Sequence, residues 1–183
     1  MHRTLNMPGL VIRPIFCSNN NMRLIPCTAL LMALLSLPLA LDAQAMLNCK
    51  VQPKNLQEMR LCWRPLLVFS PSDHAPKLKA QEDILDADAD DMMDRFVLLT
   101  PIVPAAKSVP TPLDAPWTLL SQAQMNAVRA RFHIPNGQFT VLLLDETGGV
   151  RLRSMAPIPS GQLNRLIDTW PRRKREELRR GAN

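Results

Sequence analysis

Arg64-Pro-Leu-Leu-Val-Phe-Ser-Pro71 is the stretch that decides the fold, because its apolar centre is bounded by prolines and predicts a fully buried β-strand. A strand that is buried on both faces lies inside a sheet, between two neighbours. The chain then passes through Ser72-Asp-His-Ala-Pro76, a polar turn that leads into a helix. Turns of this kind are where α/β proteins commonly carry functional residues.

Length and composition predict one globular domain with extra sequence at its ends. The chain has 183 residues, of which 46% are hydrophobic and 21% are charged. One hydrophobic core can account for a chain of this length, and this balance of residues argues against general disorder.

The first 45 residues have the pattern of a secretory signal peptide. Met22-Arg23 supplies a charged start, residues 24–41 are almost uncharged, and Asp42-Ala-Gln-Ala45 ends in a small-x-small site. We expect cleavage near Ala45 and export to the periplasm or beyond, with Met22 as an alternative start. The alternative is an uncleaved membrane anchor, since the apolar run is near the lower length limit for spanning a bilayer. Only in that case would the protein contact a membrane.

Two of the four cysteines remain after such cleavage. Cys17 and Cys27 lie in the presequence, whereas Cys49 and Cys62 belong to the mature chain. An even pair in an oxidising compartment predicts a Cys49–Cys62 disulfide that holds the N-terminal arm, residues 46–55, against the domain. A redox-active pair is the less favoured reading, because active dithiols usually lie two residues apart at a helix start.

The positive charge of the chain is concentrated at its C-terminus. The formal net charge is +6, and much of the excess lies in the tail 172–183, which begins Arg172-Arg-Lys-Arg175. A basic tail can bind nucleic acid or acidic lipid. For an exported protein we expect a solvated helical end instead, and no nucleic-acid partner.

Hydrophobic periodicity predicts the remaining elements of a domain at 56–178. The acid run in the first long helix indicates a solvated face, since the spacing of a calcium loop is absent. The predicted elements are a helix at 77–93, a strand at 96–99 that could reach 103, a proline-rich loop at 101–116, a helix at 121–132 capped by Ser121, a strand at 139–144, an edge strand at 150–154, and a helix that starts at a capping Ser160 and reaches Trp170.

The order β-α-β-α-β-β-α indicates a small α/β sandwich of thioredoxin type. Its first two strands are parallel, because a helix connects them. The third strand would then run antiparallel to the first. Consequently the segment that leads into the third strand, including His133, would return to the edge where the first strand ends.

Several motifs resemble the family described as domain of unknown function 4174. They include Cys62-Trp-Arg-Pro-Leu-Leu-Val-Phe-Ser-Pro71, Gln81, Asp94-Arg95, Phe139-Thr-Val-Leu-Leu-Leu144, Gly148-Gly-Val-Arg-Leu-Arg-Ser154, and Leu166-Ile-Asp-Thr-Trp-Pro-Arg-Arg173 with Glu176. The resemblance implies a thioredoxin-like or peroxiredoxin-like fold in an exported protein, and it implies no established activity. The chain departs from the family pattern at Asp145-Glu146 and at Trp170.

Thiol chemistry is disfavoured by the residues at the expected site. A dithiol or peroxidatic enzyme needs a low-pKa cysteine at the start of the first helix, and residues 72–77 contain none. The third strand also lacks a proline directly before it. We therefore expect no catalytic residue and no cofactor, and we interpret the chain as a non-catalytic binding or structural module of the cell envelope. A periplasmic thiol oxidoreductase or peroxiredoxin-like enzyme is the alternative.

A candidate ligand edge remains at the end of the first strand. Ser72, Asp73 and His74, together with Ser70, would face His133 there. Two histidines and an aspartate could bind zinc or copper, or one histidine could act as a base. The spacing is not diagnostic, and we favour an ordinary capping loop with no metal. The sequence does not identify a partner, although an envelope protein is one possibility.

Overall fold

The computed structural model describes residues 49–105 and 111–182. The predicted signal peptide with its cleavage site, and part of the proline-rich loop, lie outside these residues. The described elements are α1 Leu56–Met59, β1 Arg64–Phe69, α2 Pro76–Ala87, α3 Ala89–Asp94, β2 Val97–Ile102, α4 Gln122–Phe132, β3 Thr140–Leu144, β4 Val150–Ser154, α5 Ser160–Ile167 and α6 Pro171–Gly181.

The four strands form one mixed sheet in the order β2-β1-β3-β4. β1 pairs in parallel with β2 and antiparallel with β3, so the predicted central strand is confirmed. Every residue of β1, β2 and β3 is buried, whereas β4 alternates between exposed and half-buried residues, as expected of an edge strand. The thioredoxin-like α/β class predicted from the sequence is therefore the observed one.

Two of the predicted helices are each divided in two. The helix expected at 77–93 breaks at Asp88, whose backbone (φ −127°, ψ 38°) is not helical, and α3 continues beyond it. The last helix ends before Trp170, which is extended, and Pro171 begins α6. A residue that precedes proline avoids the helical region, which explains the second break. The expected capping of α5 by Ser160 is also wrong, because Pro159 occupies that position.

The basic C-terminal segment is partly an internal component of the fold. We expected a solvated helical end, but Arg173 and Glu176 are 3% and 5% exposed. Glu176 accepts hydrogen bonds of 3.1–3.2 Å from the guanidinium of Arg64, the first residue of β1. The same guanidinium donates to the carbonyl of Arg95 at 2.7 Å and lies 5.7 Å from the ring centre of Trp170. The two carboxylate oxygens and the ring surround the cation in a site that excludes water.

A second set of ion pairs joins α6 to the turn before β2. Arg95 donates to both carboxylate oxygens of Asp168 at 2.9 Å, and Arg173 donates to the carbonyl of Asp94 at 2.8 Å and to its carboxylate. Burial works against ionisation of Asp168, but the hydrogen bonds and charges of Arg95 and Arg173 hold its pKa below the usual value. Together with Arg64 and Glu176, these residues form what we call the ion-pair network.

One buried carboxylate lies outside this network. Glu82 shares the buried face of α2 with Leu78, Gln81 and Leu85 and is 2% exposed. Gln81 uses both ends of its amide on the backbone of Ile158, whereas the Oε1 atom of Glu82 is buried without a hydrogen-bond partner. Burial raises the pKa of Glu82 to about 7. Near neutral pH, ionisation of Glu82 in the folded protein therefore costs free energy.

Removing the carboxylate of Glu176 should be strongly destabilising. We expect Glu176→Gln to lower the free energy of unfolding by roughly 3 to 5 kcal/mol, because the buried Arg64 would lose its hydrogen-bonded counter-charge. The carboxylate of Glu146, 3.6 Å from the Nε atom of Arg64, would be the remaining negative charge beside it. Glu177, the exposed neighbour of Glu176, provides the control, and Glu177→Gln should cost less than about 1 kcal/mol. Urea denaturation measures both values. Equal losses of unfolding free energy in the two variants would show that the buried Arg64–Glu176 pair contributes no more than an exposed ion pair.

Glu82 should make stability fall as the pH rises. Its pKa is about 7 in the folded chain against an ordinary value of 4.5, so between these values the folded state holds a proton that the unfolded state has lost. The free energy of unfolding should therefore decrease from about pH 4.5 to about pH 7, by at most about 1.4 kcal/mol per pH unit for one proton. Glu82→Gln should flatten this slope in urea titrations, and Glu177→Gln, in α6, should leave it unchanged. A slope that persists in Glu82→Gln would assign it to other groups.

Candidate functional site

The predicted ligand edge lies where β1 ends. Ser70 is fully buried, and its hydroxyl donates to the carbonyl of Ser72 at 2.7 Å, which shapes the turn. Phe69 pairs with Thr140, so the segment before β3 returns to this edge as the predicted topology requires. Ser72 is exposed at the surface of the turn. The side chain of Ser72 is therefore accessible to a ligand from solvent.

The two histidines of this edge are both exposed. The Nε2 atom of His74 lies 3.7 Å from an oxygen of Asp73, and the His74 side chain is 69% exposed. His133 ends α4 in the left-handed conformation, with φ 53°. Within 49–105 and 111–182, no group of three or more His, Cys, Asp or Glu side chains is arranged to hold a metal ion. The zinc or copper alternative therefore gains no support from the geometry of these residues.

Arg129 occupies the interior of the same edge, and the sequence analysis missed it. Its guanidinium donates to the carbonyls of Ile102 at 2.7 Å, Pro135 at 2.9 Å and Ser70 at 3.3 Å, and lies 5.4 Å from the ring centre of Phe69. The residue is 7% exposed, and burial lowers its pKa. Arg129 thus joins the ends of β1 and β2 to the segment before β3. Its helical spacing after Met125 was the available signal, because that places it on the buried face of α4.

The disulfide lies at the other end of β1. Cys49 and Cys62 are bonded, as predicted, with their Cα atoms 5.5 Å apart. Cys62 comes two residues before β1, whereas the Ser72 turn follows it. A strand of this length extends roughly 20 Å at about 3.3 Å per residue, so the sulfurs are far from the position where a thioredoxin-like enzyme would need them.

Several contacts fix the described part of the N-terminal arm. Besides the disulfide, the indole nitrogen of Trp63 donates to the carbonyl of Lys50 at 2.9 Å, and the hydroxyl of Thr118 donates to the carbonyl of Pro53 at 3.0 Å. These contacts connect the arm to both β1 and the segment that follows the proline-rich loop. The arm is therefore a defined wall of the domain.

A recess that we call the aromatic groove lies between this arm and the proline-rich loop. Its volume is about 440 Å³. Trp63 and Phe96 meet edge to face in its floor, with ring centres 6.4 Å apart. The lining residues are Val51, Gln52, Trp63, Met93, Phe96, Leu98, Leu113, Asp114, Ala115, Pro116 and Trp117. Leu113 is 89% exposed and Val51 is 76% exposed, so the rim presents apolar side chains to solvent.

The opposite wall of the groove is also firmly held. The carboxylate of Asp86 accepts the backbone N–H groups of Leu113, Asp114 and Ala115 at 3.0–3.2 Å. Burial opposes ionisation of Asp86, but these three bonds keep its pKa low. Leu99 of β2 bonds to the carbonyl of Pro116 and to the N–H of Thr118, both at 2.9 Å. One acid of the predicted solvated face therefore has a structural role.

In the part of the chain from residue 49 onwards that the structure describes, no helix is both long and apolar enough to span a membrane.

Solved structures with a partly similar fold include a peroxiredoxin, a lipoprotein thioredoxin and a copper-bound protein. Reduced 2-Cys peroxiredoxin of Plasmodium vivax has a TM-score of 0.48 and 18% identity, covering 66% of this chain and 84% of its own. The exposed lipoprotein thioredoxin Etrx1 of Streptococcus pneumoniae has a TM-score of 0.46 and 12% identity, covering 63% of this chain and 90% of its own. Copper-bound ScoI of Arabidopsis thaliana has a TM-score of 0.45 and 13% identity, covering 63% of this chain and 89% of its own. Similarity of this degree carries no information on ligand or activity.

Comparison with curated proteins and with family models completes the assignment. No curated protein matches the chain. The family model described as domain of unknown function (DUF4174) matches residues 55–176, which include all four strands and the whole ion-pair network. This chain therefore belongs to the DUF4174 family.

Proposed function

We propose that the protein is a non-catalytic binding module of the cell envelope. The observation that carries the proposal is the separation between its cysteines and the turn after β1, where a thioredoxin-like enzyme needs a reactive thiol. That turn contains Ser72, Asp73 and His74. Cys49 and Cys62 are joined to each other at the opposite end of the strand. A helix start can lower the pKa of a thiol only when the thiol lies beside it.

The contacts of Arg129 support the same proposal. Its guanidinium satisfies three carbonyls at the edge where thiol chemistry would take place. This gives the edge a fixed structure that needs neither a cofactor nor a metal. The exposed side chains of Ser72, His74 and His133 remain a candidate ligand site on its surface.

Export is the second part of the proposal. The charged start, apolar run and Ala-x-Ala site before residue 46 support secretion. The Cys49–Cys62 disulfide supports it independently, because such bonds persist in the periplasm and outside the cell. The partner would then be another component of the envelope.

The disulfide also provides the observation in favour of the alternative function. Cys62 is only half-buried, so a thiol or a partner protein could in principle attack this bond. A periplasmic thiol oxidoreductase would then work through Cys49 and Cys62 instead of through the turn after β1. The two functions differ in whether disulfide or peroxide substrates are turned over.

Replacing both cysteines should reduce stability and leave no activity to lose. We expect the full chain, with dithiothreitol as the reductant, to reduce neither insulin nor peroxide faster than dithiothreitol alone. The free energy of unfolding of Cys49→Ser/Cys62→Ser should be about 2 to 4 kcal/mol lower than that of the wild type. The reason is that a bond between residues 13 positions apart no longer restricts the unfolded state. Stopped assays and urea denaturation measure the two effects, with thioredoxin as the positive control. Turnover by the wild type that the double variant lacks would establish the oxidoreductase instead.

A further inference from the structure

The aromatic groove has the properties of a preformed binding site. Three ring systems, Trp63, Phe96 and Trp117, line one recess and are all only half-buried. One wall is fixed by the disulfide and by the Trp63–Lys50 bond, and the other is fixed by Asp86 and by Leu99. A ligand entering a recess with fixed walls loses little free energy to ordering the protein.

An acidic depression adjoins the groove and shares Met93 and Asp114 with it. Some of its acids already have partners, since Asp86 binds backbone N–H groups and Asp91 pairs with Arg95. Asp90 and Asp114 are exposed to solvent in this depression. Their negative charge makes the surface beside the groove complementary to a cation.

We propose that the groove and the depression together bind an extended, proline-containing segment of an envelope protein that carries arginine or lysine beside its prolines. Proline-rich chains adopt an open left-handed helix that packs its rings against aromatic side chains, and this conformation costs them little entropy. The flanking cation would lie against Asp114 and Asp90. The inference deepens the proposed function and rests on it, because it names the site and the class of partner.

The charges distinguish this partner from other occupants of an apolar recess. Anionic lipid and nucleic acid would be repelled by Asp90 and Asp114, whereas a purely aliphatic segment would make no use of them. A second copy of this chain remains a physical competitor, because α6 exposes Leu178 among basic residues. The experiment below separates the two occupants.

The geometry also makes binding depend on the disulfide. Val51 and Gln52 line the groove only two and three residues after Cys49. Reduction would leave this wall held by hydrogen bonds such as Trp63–Lys50, Lys50–Glu58 and Thr118–Pro53. For the same segment, we expect the Kd of the reduced protein to be at least about threefold higher than that of the oxidised protein.

The test uses the oxidised full chain and the peptide Arg-Pro-Leu-Pro-Pro-Arg-amide, which carries fluorescein on its N-terminal amine, and follows binding by anisotropy. We expect saturable binding with a Kd below about 1 mM, and binding at least about fivefold weaker when both arginines of the peptide are replaced by glutamate. Absence of saturation up to that concentration overturns the proposal. Equal binding of the glutamate peptide also overturns it, because the depression would then play no part.

Variants of the protein locate the binding site. Trp117→Ala should weaken binding about fivefold or more, and Asp114→Asn about twofold to fivefold. Leu113→Ala, on an 89% exposed side chain, provides a groove variant that cannot disturb the core. The matched controls are Met155→Ala, which is 59% exposed outside the groove, and Asp83→Asn, which lies outside the depression, and both should bind as the wild type does.

The outcomes separate this inference from the proposed function. If the peptide binds but the three groove variants bind it unchanged, the site assignment is wrong and a binding function stands. If thiol turnover is found, the proposed function fails whatever the peptide does. Sedimentation velocity should show a monomer at peptide-binding concentrations. Self-association that Leu113→Ala abolishes would make a second copy the occupant and overturn the choice of partner.

Discussion

The pairing of Arg64 with Glu176 is the interaction on which the rest of the structure depends. Arg64 begins the central strand, and its cation is buried in a place where only a second charge can compensate it. Glu176 lies 112 residues later, on a helix that must therefore return to the start of the sheet. Asp168, Arg95 and Arg173 add connections between the same two regions. The end of the sheet where β1 and β2 begin is thus held to α6 by ion pairs as well as by apolar packing.

This arrangement gives a physical meaning to the family motif. Arg64, Asp94-Arg95, Asp168, Arg173 and Glu176 are scattered along the sequence, yet they meet at one end of the sheet. Gln81, another motif residue, holds the backbone of Ile158 with both ends of its amide. In this chain, the polar residues of these motifs therefore make structural contacts.

The buried strands were predictable because apolar runs between prolines have few alternatives, and the hairpin followed from its alternation and glycines. The break at Asp88 was not predictable, because the spacing of apolar residues continues across it although the backbone changes direction there. The burial of Arg173 and Glu176 could not be read from a segment whose composition is that of a solvated helix. Topology predicted where the residues of the candidate ligand edge lie. The position of Arg129 among them was not predictable, because it depends on which carbonyls are left unpaired at the strand ends. The aromatic groove depends on three segments that are distant in sequence, and local patterns do not bring them together.

The short bridge between Leu99 and Trp117 has a consequence for how this sheet meets other chains. β2 is an outer strand, and its backbone groups at Leu99 are already bonded to Pro116 and Thr118. The other outer strand, β4, exposes Arg151 and Arg153. A covered edge and a charged edge both oppose the addition of a foreign strand, which is how soluble β-proteins avoid aggregation. The two outer strands therefore favour recognition of a partner through side chains over addition of a strand to the sheet.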